Sequence, residues 1–126
     1  MTDFHRIERS EGVFPVSELD WDNTYYAAML DGKPYAYLHT QTAPGQDFTM
    51  LHITLLAFSR RILRECRADY RVLNKILKAA GIRRMIHLKE HPVRQWEKLM
   101  HLLGFSKPRD VRIEGKPYKT ICMEVF

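Results

Sequence analysis

Residues 48–88 read FTMLHITLLAFSRRILRECRADYRVLNKILKAAGIRRMIHL, and this stretch decides the fold. Residues 48–58 alternate between apolar and other side chains, which is typical of a strand with one buried face. Residues 59–81 form a long amphipathic run, and residues 82–88 form a second short apolar run. This order predicts two parallel strands joined by a crossover helix. Ligands in such sheets bind at the carboxyl ends of strands, so the turn at residues 58–64 is the first place to look for function.

The segments on either side predict two hairpins and a second helix. Residues 24–30 and 35–41 flank Asp31-Gly32, which is a strong hairpin signal. Residues 92–103 form a segment that starts with proline and is followed by Gly-Phe, as expected of a helix, and residues 114–117 are a second hairpin turn. We therefore predict an α/β fold with a mixed sheet: antiparallel strands, one helical crossover, then a helix and a terminal hairpin.

The composition fits one cytoplasmic domain that covers residues 1–126. Apolar residues make up 45% of the chain and charged residues 28%, as in ordinary globular domains. No apolar stretch is long enough to span a membrane, and the N-terminus lacks the apolar centre of a signal peptide. Cys66 and Cys122 lie in apolar contexts and are expected to be buried, reduced thiols. The net charge of +5 favours anionic partners.

The predicted crossover helix carries six cations on one face. At about 100° per residue they fall on a single line, opposite the apolar side chains. These residues are Arg60, Arg64, Arg67, Arg71, Lys75 and Lys78, here called the basic stripe. The stripe is either a solvated face or a surface for an acidic protein partner or nucleic acid. Its arginines favour the second interpretation, because arginine grips carboxylate or phosphate in a bidentate fork.

The order of these elements resembles the GNAT acyltransferase fold, and its most recognisable piece is QWEKLMHLLGF at residues 95–105. The resemblance implies that acetyl-CoA would bind where the central strand meets its helix. The residues placed there are Phe58, Ser59, Arg60, Arg61 and Arg64. More narrowly, the chain is similar to small GNAT-like head-assembly proteins of short-tailed temperate phages. That likeness implies a morphogenesis protein in the host cytoplasm that acts through contacts with assembly proteins or DNA.

The chain departs from the GNAT enzyme pattern in three places. The turn at residues 58–64 has no glycine, so its side chains hinder the close backbone approach that a pyrophosphate needs. Met100 stands where these enzymes often have a tyrosine acid, and Val93 stands near an expected asparagine. We therefore expect a scaffold without catalysis and with a reduced N-terminal part. The alternative is an active acetyl-CoA-dependent N-acetyltransferase that grips phosphate with side chains.

Two histidines are candidate catalytic bases under the alternative. His52 lies on the predicted central strand, on the face opposite Leu51 and Ile53, and His101 neighbours Met100. A histidine near neutral pH is a competent general base. The other interpretations are a hydrogen-bonded strand histidine for His52 and a helix C-terminal histidine for His101. No metal site is expected.

Two further expectations concern the sheet. Alternation places Tyr35 and Tyr37 on one face, where they would pack with other aromatic residues. The strand at residues 118–126 is apolar to its end. If it lies at a sheet edge, it could pair with a second copy and form a dimer.

Overall fold

The computed structural model describes residues 3–12, 14, 21–89 and 94–125. This part of the chain forms one mixed sheet and two α-helices, with a short 3-10 turn at Arg9–Glu11. The strands are β1 Asp3–Ile7, β2 Asp22–Leu30, β3 Lys33–Thr42, β4 Phe48–Leu55, β5 Arg84–Lys89, β6 Arg109–Ile113 and β7 Lys116–Glu124. The helices are α1 Arg60–Ala79 and α2 Arg94–Leu102. β1 ends at Ile7 and β2 begins at Asp22, so fourteen residues lie between them in the sequence.

The seven strands of this sheet lie in the order β1-β2-β3-β4-β5-β7-β6. All neighbours are antiparallel except β4 and β5, which are parallel and are joined by α1. The predicted helical crossover is therefore confirmed. β4 and β5 pair only at Phe48–Arg84, Thr49–Met85 and Met50–Ile86. β4 continues to Leu55 and β5 to Lys89, so the two strands diverge beyond this point.

The first hairpin turns at the predicted Asp31-Gly32. Both residues have positive φ, 54° and 77°, as a two-residue turn that follows the strand twist requires. A bulge lies next to this turn, because Ala28 faces Ala36 while Met29 faces Pro34. At Tyr35 the bulge interrupts the alternation of side chains between the two faces of the sheet.

The prediction that Tyr35 and Tyr37 share a face is therefore wrong. The Tyr35 hydroxyl donates to Asp69 on α1, so this side chain lies on the helical face of the sheet. The Tyr37 ring contacts Phe14, which covers the opposite face. An extra residue in one strand reverses the facing of its side chains, and sequence alternation does not reveal it.

Helix α1 begins and ends where its sequence predicts. The Ser59 Oγ accepts a hydrogen bond from the Ile62 N–H at 3.1 Å, which satisfies one of the free donors of the first turn. At the other end Gly81 has φ of 80°, and the Ile82 N–H donates to the Leu77 carbonyl. Every member of the basic stripe is exposed on the outer face of this helix.

The core lies between the sheet and the inner faces of the helices. Leu51 of β4, Leu73 of α1 and Met85 of β5 have no exposed surface. Helix α2 adds Met100, which is 2% exposed, to the same apolar cluster. No helix in the described part of the chain is long and apolar enough to cross a membrane.

The terminal strand does not lie at a sheet edge. β7 pairs with β5 on one side and with β6 on the other, and the edge strands of the described sheet are β1 and β6. β5 pairs with residues 119–124 of this strand and β6 with residues 116–120, so only Lys119 and Thr120 pair on both sides. Residues 121–124 have no second strand beside them in the described sheet, so a dimer through this strand stays a prediction.

Candidate functional site

A cleft borders the end of β4, beyond the point where its pairing with β5 stops. A cavity of about 450 Å³ lies there, between β4 and α2. Its wall is almost entirely apolar, with one cation, and consists of Ile53, Leu55, Phe58, Lys98, Leu99, Met100 and Leu102. A cavity of this size is large enough for a small organic ligand. Phe58, a predicted cofactor residue, therefore lies in a pocket wall, where its ring is more than half exposed.

The N-terminus of α1 lies next to this cleft, directly after Phe58. Its first turn begins with Arg60 and Arg61, whose N–H groups have no acceptor within the helix and lie at its electropositive end. The Ser59 hydroxyl is engaged as the cap of the helix. The geometry therefore keeps the helix-terminus donors at the predicted turn, although no glycine is present there.

The predicted phosphate-gripping arginines differ in their surroundings. Arg61 donates two hydrogen bonds to the Asp31 carboxylate in the β2–β3 turn, at 2.8 and 3.0 Å. A phosphate at Arg61 would have to compete with this exposed ion pair. Arg60 and Arg64 are exposed and form no ion pair with another described residue. Their guanidinium groups are therefore the cations most available to an anion at this helix end.

On the opposite face of β4, His52 belongs to a polar row that crosses three strands. In the register of the sheet, Tyr25, His39 and His52 lie side by side on β2, β3 and β4. The rings of Tyr25 and His39 stack with centroids 4.5 Å apart, and those of His39 and His52 are 5.3 Å apart. The Phe14 ring covers this row from the N-terminal segment. His52 therefore lies beside aromatic rings and not among the aliphatic side chains of the cleft.

Two side-chain amides hold the histidines. His52 Nε2 lies 2.6 Å from Gln41 Oε1, and His39 Nε2 lies 2.8 Å from Asn23 Oδ1, both within hydrogen-bond distance. Burial lowers the pKa of His52. Burial, together with nearby His52 and Arg9, lowers the pKa of His39 to about 4. Both imidazoles are therefore neutral at pH 7, the state in which a histidine accepts a proton.

His101 occupies a different position. It lies on the last turn of α2 and is exposed, whereas its neighbour Met100 lines the cavity. The structure thus places one of the two candidate bases in a polar cluster and the other on the surface of α2.

The sequence interpretation missed His39, Gln41 and Asn23. One signal was present: His39 and Gln41 alternate on β3 and therefore share a face. Their position beside His52 depends on the β3–β4 register, which the loop at residues 43–47 does not reveal.

A second polar group lies beneath the cleft, on the helical side. The Tyr35 O–H donates to Asp69, which is 2% exposed, and Cys66 lies one turn away on α1. A small void of about 10 Å³ separates these residues from the apolar wall of the cleft. Burial raises the pKa of Asp69 to about 6 and that of Cys66 to about 12. Cys66 is therefore a protonated thiol at neutral pH.

No protein-family model matches the chain, and no curated protein matches it significantly in sequence. Solved structures do match. The ribosomal-protein-S18-alanine N-acetyltransferase from Escherichia coli aligns over 99% of this chain and 94% of its own, with a TM-score of 0.67 and 16% identity. The chain has the GNAT fold. The predicted fold class is confirmed by this match.

Two further structures align over less of their own length. AAC(6')-Ib, solved with ribostamycin and coenzyme A, aligns over 81% of this chain and 64% of its own, with a TM-score of 0.64 and 15% identity. The GNAT domain of S. lividans PAT aligns over 86% of this chain and 64% of its own, with a TM-score of 0.64 and 13% identity. The chain thus spans less than two thirds of these two proteins. The comparisons do not show the narrower likeness to phage head-assembly proteins.

Proposed function

We propose that this chain is an acetyl-CoA-dependent N-acetyltransferase, the alternative that its sequence left open. The observation that carries the proposal is the apolar cleft at the point where β4 and β5 diverge, next to the N-terminus of α1. An elongated donor with an apolar arm and an anionic end is complementary to this arrangement. Of the fold neighbours named above, one is an N-acetyltransferase by name and another was solved with coenzyme A, which supports the same class.

The cleft divides into an apolar part and a cationic part. The apolar wall would take the arm of the donor, and desolvation of that wall would supply much of the affinity. Lys98 at the wall, the first-turn N–H groups of α1, and Arg60 and Arg64 would take the phosphates. Side chains would then replace the glycine-rich backbone contact that this turn lacks.

His52 would serve as the proton acceptor. In the transfer, the acceptor nitrogen forms a bond to the thioester carbonyl carbon and the carbon–sulfur bond breaks. The nitrogen loses a proton to a base, and the leaving thiolate takes up a proton. His52 lies on the strand that borders the cleft, on the face opposite Ile53 and Leu55, and its neutral ring suits this role.

Thermal melting with millimolar acetyl-CoA, beside matched pyrophosphate, tests donor binding. A ligand at a hundred times its dissociation constant stabilises by about 2.7 kcal/mol, which raises the midpoint by on the order of 10 °C in a domain of this size. We expect a clearly larger shift with acetyl-CoA than with pyrophosphate. Equal shifts would indicate a general anion site and would contradict the proposal.

A matched pair of variants locates the site. Leu102 and Ile113 are both aliphatic residues at the surface, 40% and 42% exposed, but only Leu102 lines the cavity. Leu102→Glu is expected to abolish most of the acetyl-CoA shift, and Ile113→Glu is expected to retain it. If both variants respond alike, the donor does not bind in this cleft.

The basic stripe favours a second candidate function, a contact with an acidic assembly protein or nucleic acid, as the morphogenesis hypothesis requires. Its six cations are exposed, and no ion pair joins them to another described residue. Charge reversal of Arg64, Arg67 and Arg71 tests the idea in a binding assay with single-stranded DNA and with an acidic polypeptide. Binding of either that weakens steeply with salt and is lost in the variant supports the surface. No binding to either probe excludes it.

A further inference from the structure

We infer that Gln41 is a positioning residue: it holds His52 as the Nε2–H tautomer and leaves Nδ1 as the proton-accepting atom. The inference rests on the proposed function, because it specifies which atom of the candidate base accepts the proton. It concerns a residue on a different strand from His52.

The sheet register brings Gln41 and His52 close to each other. His39 lies opposite His52, and Gln41 lies opposite Met50, so Gln41 and His52 are diagonal neighbours on adjacent strands. Diagonal side chains on one sheet face are within reach when one of them is long. The Gln41 side chain spans the diagonal, and its Oε1 lies 2.6 Å from His52 Nε2.

The chemistry of the contact then determines the tautomer. A carboxamide oxygen only accepts, so the ring nitrogen beside it must carry the proton. A neutral imidazole has one N–H, and Nδ1 is therefore the lone-pair nitrogen. Gln41 is itself 6% exposed, which means that little water competes for its oxygen.

The neighbouring pair has the same arrangement. Asn23 Oδ1 accepts from His39 Nε2–H, one strand away. His39 is 1% exposed, and its Nδ1 has no partner in the described structure. The buried, neutral His39 therefore places an uncharged ring next to His52. Other titratable or charged groups near this row, among the described residues, include Tyr25 on β2, Tyr37 on β3 and Arg9 in the 3-10 turn.

An amide suits this position better than a carboxylate. A carboxylate beside Nε2–H would stabilise the imidazolium and raise the pKa of His52, so that less of the base would be neutral at pH 7. The amide orients the ring without adding charge. Glutamine thus fixes the orientation of the His52 ring without raising the His52 pKa. One substitution of Gln41 can test the orientation, and another can test the pKa.

Long-range ¹⁵N–¹H NMR of the imidazoles tests the tautomer directly, without any activity assay. Wild type is expected to show His52 as the Nε2–H form. Gln41→Met, similar in size but without an acceptor, is expected to give a mixture of tautomers. Gln46→Met, at an exposed glutamine in the β3–β4 loop, is the control and is expected to match wild type. Finding Nδ1–H in wild type, or an unchanged tautomer in Gln41→Met, overturns the inference; the wild-type spectrum decides even if the variant fails to fold.

Gln41→Glu tests the consequence for pH dependence. We expect the His52 pKa, followed by NMR titration, to rise by about one unit or more. The acid limb of the pH profile of kcat/KM should then move to higher pH by the same amount. An unchanged His52 pKa contradicts the contact. If the tautomer and pKa respond as expected but wild type transfers no acyl group, the contact stands and the proposed function fails.

Discussion

Replacing Asp69 by asparagine is expected to stabilise this protein at neutral pH. Asp69 is 2% exposed on the inner face of α1, where one carboxylate oxygen accepts from the Tyr35 hydroxyl and Oδ1 has no partner in the described structure. Burial raises the pKa of this group to about 6 from 3.8, with Glu65 and Asp3 adding to the effect. The ionised carboxylate is therefore less favourable in the folded protein than in the unfolded chain.

The magnitude follows from the pKa change. The folded pKa exceeds the unfolded value of 3.8 by about 2 units, at about 1.4 kcal/mol per unit. Because the folded value is raised, the stabilising contribution is fully present below about pH 4 and is lost as the pH rises through about 6. Above this window the ionised side chain costs about 3 kcal/mol, which Asp69→Asn avoids while keeping an acceptor for Tyr35.

Urea unfolding of both proteins at about pH 7.5 and about pH 4 measures the effect. The variant is expected to be more stable by 1 to 3 kcal/mol, roughly, at the higher pH and to lose this advantage at the lower one. The lower figure allows for an unsatisfied amide N–H where Oδ1 now lies. Asp47→Asn, at an exposed loop carboxylate, is the control and should show no such pH dependence. An advantage of equal size at both pH values would refute the reasoning.

Three further outcomes follow from the structure. Ser59→Ala removes the hydroxyl that accepts from the Ile62 N–H and should lower the free energy of unfolding, measured in urea, by about 1 kcal/mol. Ser59→Asp keeps an acceptor at this position and should retain most of that free energy. Leu73→Ala empties a site with no exposed surface and should cost about 2 to 5 kcal/mol, measured by thermal unfolding; a loss below 1 kcal/mol, roughly, would show that this site is not tightly packed. His39, whose pKa is lowered to about 4, should make wild type lose stability relative to His39→Gln as the pH falls from about 6.5 to about 4. Paired melting curves across that range check the sign, and parallel curves would contradict it.

Much of the expected site could be located from local signals, but its chemistry could not. The β4–α1 turn was predicted as the place to look, and Phe58 does line the cleft that begins there. Arg61 was predicted to grip phosphate, and it lies in an ion pair with Asp31 from a hairpin far away in sequence. The surroundings of His52 likewise come from other strands. Such contacts depend on which strands become neighbours, and periodicity carries no information about that.

By itself, the sequence determined the elements whose causes are local. The Asp31-Gly32 turn, the Ser59 cap, the Gly81 end and the single line of cations on α1 each depend on a few adjacent residues, and each is where the sequence predicts it. Only the tertiary structure decided the bulge that turns Tyr35 toward Asp69, the divergence of β4 from β5 and the row that brings Gln41 to His52. The physical reason is that strand register and sheet order are set by burial summed over the whole domain, so a shift of one residue there reverses which side chains meet.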